Sequence, residues 1–213
     1  APAGREIDEA TLNTYGFKNM HQFMNWRWFK GLGGGPIVDL GSHQIDIYSW
    51  FLDAQPVSVT ASGGIDYWTG HEWYDAVMAI YEYKTQAGMV RAFYQTTTTN
   101  SANGYFESFM GDEGTLVISE SANRGSVYRE SWVNEEKWQP WVDKGYLRKL
   151  EGKPAVKKED GAVLDVREGT YAPAEYAIPV KMEVPYHQPH LQNFFDAIRG
   201  RARLNCPAEV GYE

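Results

Sequence analysis

A single cysteine, Cys206, stands in the whole chain, so neither an internal disulfide nor a multi-cysteine metal cluster can form. Long apolar runs are missing as well. None approaches the ~18 residues of a membrane-spanning helix, and Ala1-Pro2-Ala3-Gly4 lacks the apolar core of a signal peptide. Nor is there a basic excess: the formal net charge is −8 and the pI about 5.2, a balance that disfavours binding to phosphate backbones. Neither nucleic acid nor a membrane is therefore expected as a partner. With so little to fix the compartment, a cytoplasm and a bacterial periplasm both suit the chain. Nucleotide signatures are absent too. Gly31-Leu32-Gly33-Gly34-Gly35 begins no strand–helix–strand unit and runs into Pro36 rather than a lysine, which excludes both the dinucleotide fingerprint and the phosphate loop.

Core material, by contrast, is ample. Hydrophobic residues make up 43% and aromatics 15%, which favours a folded chain, and 213 residues fit one sheet-rich domain. We read residues 1–213 as that single domain: a helical lead-in over 1–32, a Gly-led helix over 33–52, strands over 56–120, a loop-rich insertion over 123–180 and a helix over 186–200. In the lead-in, Asp8 is positioned to cap a helix that runs to Thr14 and stops at Gly16. Asn19 is positioned to cap a second, ending near Lys30 before Gly31. That second helix carries Trp26-Arg27-Trp28, two aromatics flanking a cation. They suit either a planar ligand with an anion on Arg27 or plain core packing.

The period then shifts to alternation. Pro56 to Gly64, Asp75 to Tyr83, Gly88 to Thr99, Tyr105 to Met110 and Thr115 to Ser119 read as strands, with Asn103-Gly104 as one of the turns. Successive strands on short connections predict an α+β fold, a largely antiparallel open-faced sheet with helices packed on one face. Further on, Lys149, Lys153, Lys157 and Lys158 among acids and glycines read as a solvated loop, and Tyr171 to Tyr176 has at most the look of a lid. Leu191, Phe194, Phe195 and Ile198 recur at helical spacing before Gly200, and Ala208 opens one more helix.

Chemistry concentrates where Gly33-Gly34-Gly35-Pro36 leads into a helix expected to reach Leu52. Ile37, Leu40, Ile47 and Phe51 share one face; Asp39, His43, Asp46 and Trp50 share another. Asp39 and His43 stand at i and i+4, where a carboxylate raises an imidazole's proton affinity and fixes its orientation, as a proton shuttle requires. A merely solvated helix face is the plainer alternative. A metal at Asp39, His43 and Asp46, completed by His71, His187 or His190, has suitable ligand types. It asks three ligands of less than two turns of one helix, so no metal is expected. Between the first two strands, Asp66 to Tyr74 is rich in aromatics. His71, Trp73 and Tyr74 are candidates to line a sugar-like substrate, against the reading of an aromatic edge loop without function.

Asn25-Trp26-Arg27-Trp28-Phe29-Lys30, followed by Gly33-Gly34-Gly35-Pro36-Ile37-Val38-Asp39-Leu40-Gly41-Ser42-His43-Gln44-Ile45-Asp46, resembles the start of the C-terminal domain of the glucose-fructose oxidoreductase / inositol dehydrogenase / rhizopine catabolism (Gfo/Idh/MocA) family. Tyr105 to Leu116 and the helix from His187 to Gly200 match its layout. The resemblance implies a two-domain oxidoreductase acting on sugars or polyols. An N-terminal Rossmann domain would hold NAD or NADP and carry a Glu-Lys-Pro motif. It implies His43 as the acid/base, Asp39 as a substrate-binding or proton-handling carboxylate, Gly34 and Gly35 beside the nicotinamide, and Arg27 with Trp26 helping to hold it. His71, Trp73 and Tyr74 would border the substrate.

This chain has no Rossmann domain of its own, so it reads as part of a longer protein, inactive and without bound cofactor by itself. Two rival readings stand beside the oxidoreductase: an NAD-dependent glycosidase of the same family, and a non-catalytic carbohydrate-binding or assembly module. In each, a homo-oligomer through the sheet face is expected.

Overall fold

Asp8 and Asn19 begin the regular structure as N-caps, in a computed structural model that describes residues 6–102, 104–119, 125–151, 173–179 and 183–212. The Asp8 carboxylate accepts the Thr11 N–H at 2.9 Å to start α1 (Glu9–Thr14), which closes at Gly16 with φ +83°. The Asn19 side chain accepts from Gln22 at 2.9 Å to start α2 (Met20–Met24). This helix stops well short of Lys30. Asn25 turns its side-chain amide back onto the His21 carbonyl, a local bond that competes with helix propagation, and a single 3₁₀ turn over Trp26–Trp28 follows.

The chain divides into two compact units, Ala1–Gly104 and Tyr105–Glu213. In the first, the Gly-led helix is not continuous. It consists of α3 (Gly35–Asp39) and α4 (Gly41–Leu52), separated at Leu40. Gly41, the first residue of α4, is buried with its backbone against the Tyr94 ring; a Cβ there would lie 2.9 Å from two ring carbons. Three antiparallel strands, β1 (Pro56–Gly64), β2 (Ala76–Thr85) and β3 (Gly88–Thr97), pair in the order β1-β2-β3. Val77, Ala79 and Tyr83 of β2 and Tyr94 of β3 form the buried face with Leu12 and Phe29 nearby in the same unit. Helix α4 lies toward that sheet, with Gly41 on Tyr94 and the Tyr48 hydroxyl donating to the Phe93 carbonyl at 3.3 Å. The other face carries Met78, Ile80, Met89 and Phe93, each about half exposed, around a Ser58–Glu82–Arg91 polar cluster.

In the second unit, β4 (Glu107–Met110), β5 (Gly114–Ile118), β6 (Ser126–Arg129), β7 (Arg148–Lys149) and β8 (Ala174–Ala177) pair antiparallel in the order β4-β5-β6-β8-β7. A short helix, α5 (Gln139–Asp143), precedes β7; α6 (His187–Ile198) and α7 (Ala208–Tyr212) end the unit. The segment with the look of a lid is, at its described residues, part of the sheet. Ala174–Ala177 is an interior strand and Tyr176 is buried against Trp138, ring centroids 5.5 Å apart; Tyr171 and Ala172 lie outside the described residues. Lys149 sits in β7 and pairs with Glu135 rather than lying in a loop. Lys153, Lys157, Lys158 and Asn103 also fall outside the described residues. The class is α+β with antiparallel sheets, as the alternation predicts.

Because Gly41 has no room for a methyl group, Gly41→Ala forces either Tyr94 or α4 to move. It should lower stability by about 1–3 kcal/mol in chemical denaturation, the range for overpacking a well-filled contact.

Candidate functional site at the glycine-led turn

Gly35 adopts φ +74°, a conformation that side chains resist, and its bare face is filled from within the protein. A Cβ on Gly35 would come 2.7 Å from Trp73, one on Gly34 2.6 Å from Val38, and one on Gly33 2.7 Å from the Arg27 backbone. All three glycines thus accommodate the chain's own close approach. Trp73 donates its indole N–H to the Gly33 carbonyl at 2.8 Å. Glu72 donates its N–H to the Trp28 carbonyl at 3.0 Å, and its carboxylate accepts the Lys30 N–H at 2.8 Å. Four contacts therefore stitch the β1–β2 loop to the stretch from Trp28 to Gly35.

Next to this seam lies the charged part of the site. Arg27 Nε donates to Asp39 Oδ1 at 2.9 Å, and its guanidinium rests over the Trp26 ring, 4.6 Å from the centroid. Asp39 is half-buried at the end of α3; His43 and Asp46 are exposed on α4. The break at Leu40 separates the two helices, and Asp39 turns to Arg27. Among the described residues no hydrogen bond joins Asp39 to His43, so the i, i+4 contact read from the sequence is not made here. His43 keeps an exposed imidazole without an intramolecular hydrogen bond among those residues.

His71 has a different setting. Its ring stacks on Trp28 at 5.4 Å and 4°, and on Trp68 at 5.8 Å and 24°, with His21 stacked at 6.3 Å. Burial, reinforced by the neighbouring His21, pushes the His71 imidazole below its ordinary value against an upward pull from Asp75. Tyr74 is exposed at the loop's far end. Sequence reasoning took Asp75 only as the start of a strand. The structure makes its buried carboxylate the acceptor for the N–H groups of Asp66, Tyr67 and Trp68. Burial raises its proton affinity, yet those three backbone donors outweigh it and hold the group below the usual carboxylate range. An aspartate placed directly after an aromatic loop and before a strand was the available signal. Among the described residues no set of three metal-ligating side chains converges, and no helix is long and apolar enough to cross a membrane.

The family described as the GFO/IDH/MocA C-terminal domain matches residues 8–117. The chain belongs to this family. Every residue of the site, from Trp26 to Asp75, falls inside the matched stretch. A solved structure of an NAD-binding protein from Listeria innocua is similar in fold, with 20% sequence identity and a TM-score of 0.53. The alignment covers 88% of this GFO/IDH/MocA chain but 48% of that one, so the chain spans about half the length of the protein it matches. No curated protein gives a significant match.

The His71 setting predicts a pH dependence. Its folded-state affinity for protons is lowered, so below about 6.5, the ordinary value, the unfolded chain binds a proton more readily. The contribution is present above that pH and lost as the pH falls below it. Urea midpoints measured across this window should fall with acid, and His71→Gln should flatten the fall; an unchanged slope would assign the effect to other groups.

Proposed function

We propose that this GFO/IDH/MocA domain is the substrate-binding and oligomerisation part of an NAD(P)-dependent oxidoreductase acting on a hydroxyl of a sugar or polyol, with the dinucleotide held by a separate N-terminal domain of Rossmann type. One observation carries the reading: an exposed His43 sits in the first turn of α4, four residues beyond the Asp39 that Arg27 holds at the end of α3. The NAD-binding protein of similar fold supports it by analogy.

The residues fit one wall of a nicotinamide site. Trp26 offers a planar, partly exposed ring, and among the described residues only the Nε of Arg27 is engaged, which leaves its terminal nitrogens to donate to a carboxamide or an anion. Gly34 and Gly35 pack against Val38 and Trp73 on their inner side and would present bare backbone to a nicotinamide on the outer side. The bound dinucleotide supplies the hydride acceptor. His43 accepts the proton that the substrate hydroxyl gives up, the role for which an exposed imidazole is suited. Asp39, fixed by Arg27 through Oδ1, keeps Oδ2 for a neighbouring substrate hydroxyl. From the β1–β2 loop, His71, Trp73 and Tyr74 border the substrate, Trp73 chiefly by anchoring the Gly33 carbonyl. The half-exposed face of Met78, Ile80, Met89 and Phe93 supports pairing with a second copy.

The test is turnover in the protein that joins this chain to its nucleotide domain. With a sugar or polyol, NADH or NADPH should accumulate, and His43→Ala should lower kcat by about 10²–10⁴-fold, the usual contribution of a general acid–base. Unchanged turnover would remove His43 from the mechanism. Release of free sugar without accumulation of reduced cofactor would replace the oxidoreductase by a glycosidase.

A further inference from the structure

The β1–β2 loop holds its aromatic side chains in two unequal ways. Trp73 is committed to Gly33 and Gly35, and His71 to its stack on Trp28. Tyr67 and Trp68 keep more of their surface open: they are 65% and 43% exposed, edge to face with ring centroids 4.8 Å apart, with Trp68 also stacked on His71. Beneath them sits Asp75, 3% exposed, whose carboxylate accepts the N–H of Tyr67 at 2.8 Å, of Trp68 at 2.7 Å and of Asp66 at 3.1 Å. Folding alone favours the opposite arrangement, with rings inside and charge outside. Nor does the sheet require that carboxylate. The Asp75 backbone already keeps its place, donating to the Gly64 carbonyl at 2.9 Å and accepting from Thr98 at 3.0 Å.

We infer that the Tyr67–Trp68 edge, set in place by the Asp75 carboxylate, is the specificity-determining wall of this site and packs against the apolar face of a ring-shaped sugar or cyclic polyol. Continuity supports it. Trp68 stacks on His71, His71 on Trp28, and Trp28 follows Arg27, the partner of Asp39. A rigid pair of rings loses little conformational freedom on binding, and a pyranose or cyclitol presents axial C–H groups to such a surface. Asp75 touches no substrate; it is a positioning residue that acts through the loop backbone. The inference rests on the oxidoreductase reading only for the class of ligand.

The test has two independent arms. In the 213-residue chain, titration with myo-inositol and with D-glucose, followed by NMR at the Trp indole N–H groups, should shift the Trp68 signal, and Tyr67→Ala/Trp68→Ala should abolish the response. Amide hydrogen exchange in Asp75→Asn should speed at Tyr67 and Trp68 while β2 keeps its protection. In the protein with its nucleotide domain, Tyr67→Ala/Trp68→Ala should raise KM about tenfold with kcat unchanged, the loss of one good ring contact. Asp75→Asn, which keeps one acceptor oxygen, should raise KM less than Asp75→Ala. Should the Asp75 variants fail to fold, the double variant at two exposed positions still decides. A Trp68 signal unmoved by both probes, or a KM indifferent to the double variant, overturns the wall. Turnover with an indifferent KM leaves the oxidoreductase standing without it. Binding at Trp68 without reduction of NAD(P) leaves the wall standing and removes the oxidoreductase.

Discussion

A tryptophan lying on a glycine is the contact from which the site is built. Trp73 approaches Gly35 so closely that no side chain fits between them, and the same indole closes on the Gly33 carbonyl. The left-handed turn at Gly35 sets where α3 starts; that start sets where Asp39 emerges. The contact is steric before it is energetic: dense packing transmits a displacement at Trp73 into the position of the charged residues. It also gives the three glycines a role inside the protein, filled by Arg27, Val38 and Trp73, in addition to any ligand on the outer side.

The electrostatics are arranged in two zones with different character. Arg27 and Asp39 form an exposed pair, of the kind that adds little stability but orients a carboxylate well. Asp75 is the reverse, a buried charge that no cation among the described residues neutralises and that backbone N–H groups hold instead. One zone is open to solvent. The other fixes the β1–β2 loop, and the aromatic stack through His71 joins that loop to Trp28, next to Arg27.

Much of this was legible in the residues. The caps at Asp8 and Asn19, the strand at Pro56–Gly64 and the stop at Gly200 followed from local rules, as did the α+β antiparallel class, while the family showed as a resemblance over Trp26 to Asp46. What escaped was set by partners distant in sequence. Tyr94 packs against Gly41 at the start of α4, and Asp39 turns to Arg27 rather than to His43. Periodicity sees neither, since a helical wheel contains only its own helix. Strands β6, β7 and β8 were hidden for a related reason: short segments without strict alternation gain their order from neighbours across the ladder.

The stitches between the β1–β2 loop and the glycine-led turn each span about forty residues, 40 for Trp73 to Gly33 and 42 for Lys30 to Glu72. Helix α4 and the β2–β3 hairpin form from neighbours in the chain, whereas these contacts must wait until β1 and β2 are in register and a long loop has closed. The seam between loop and turn is therefore assembled late in folding and released early in unfolding, in an opening that leaves the hairpin intact. A protein with this design can lose the seam between loop and turn while keeping its sheet, so the persistence of β structure would be a poor witness to whether that seam is still there.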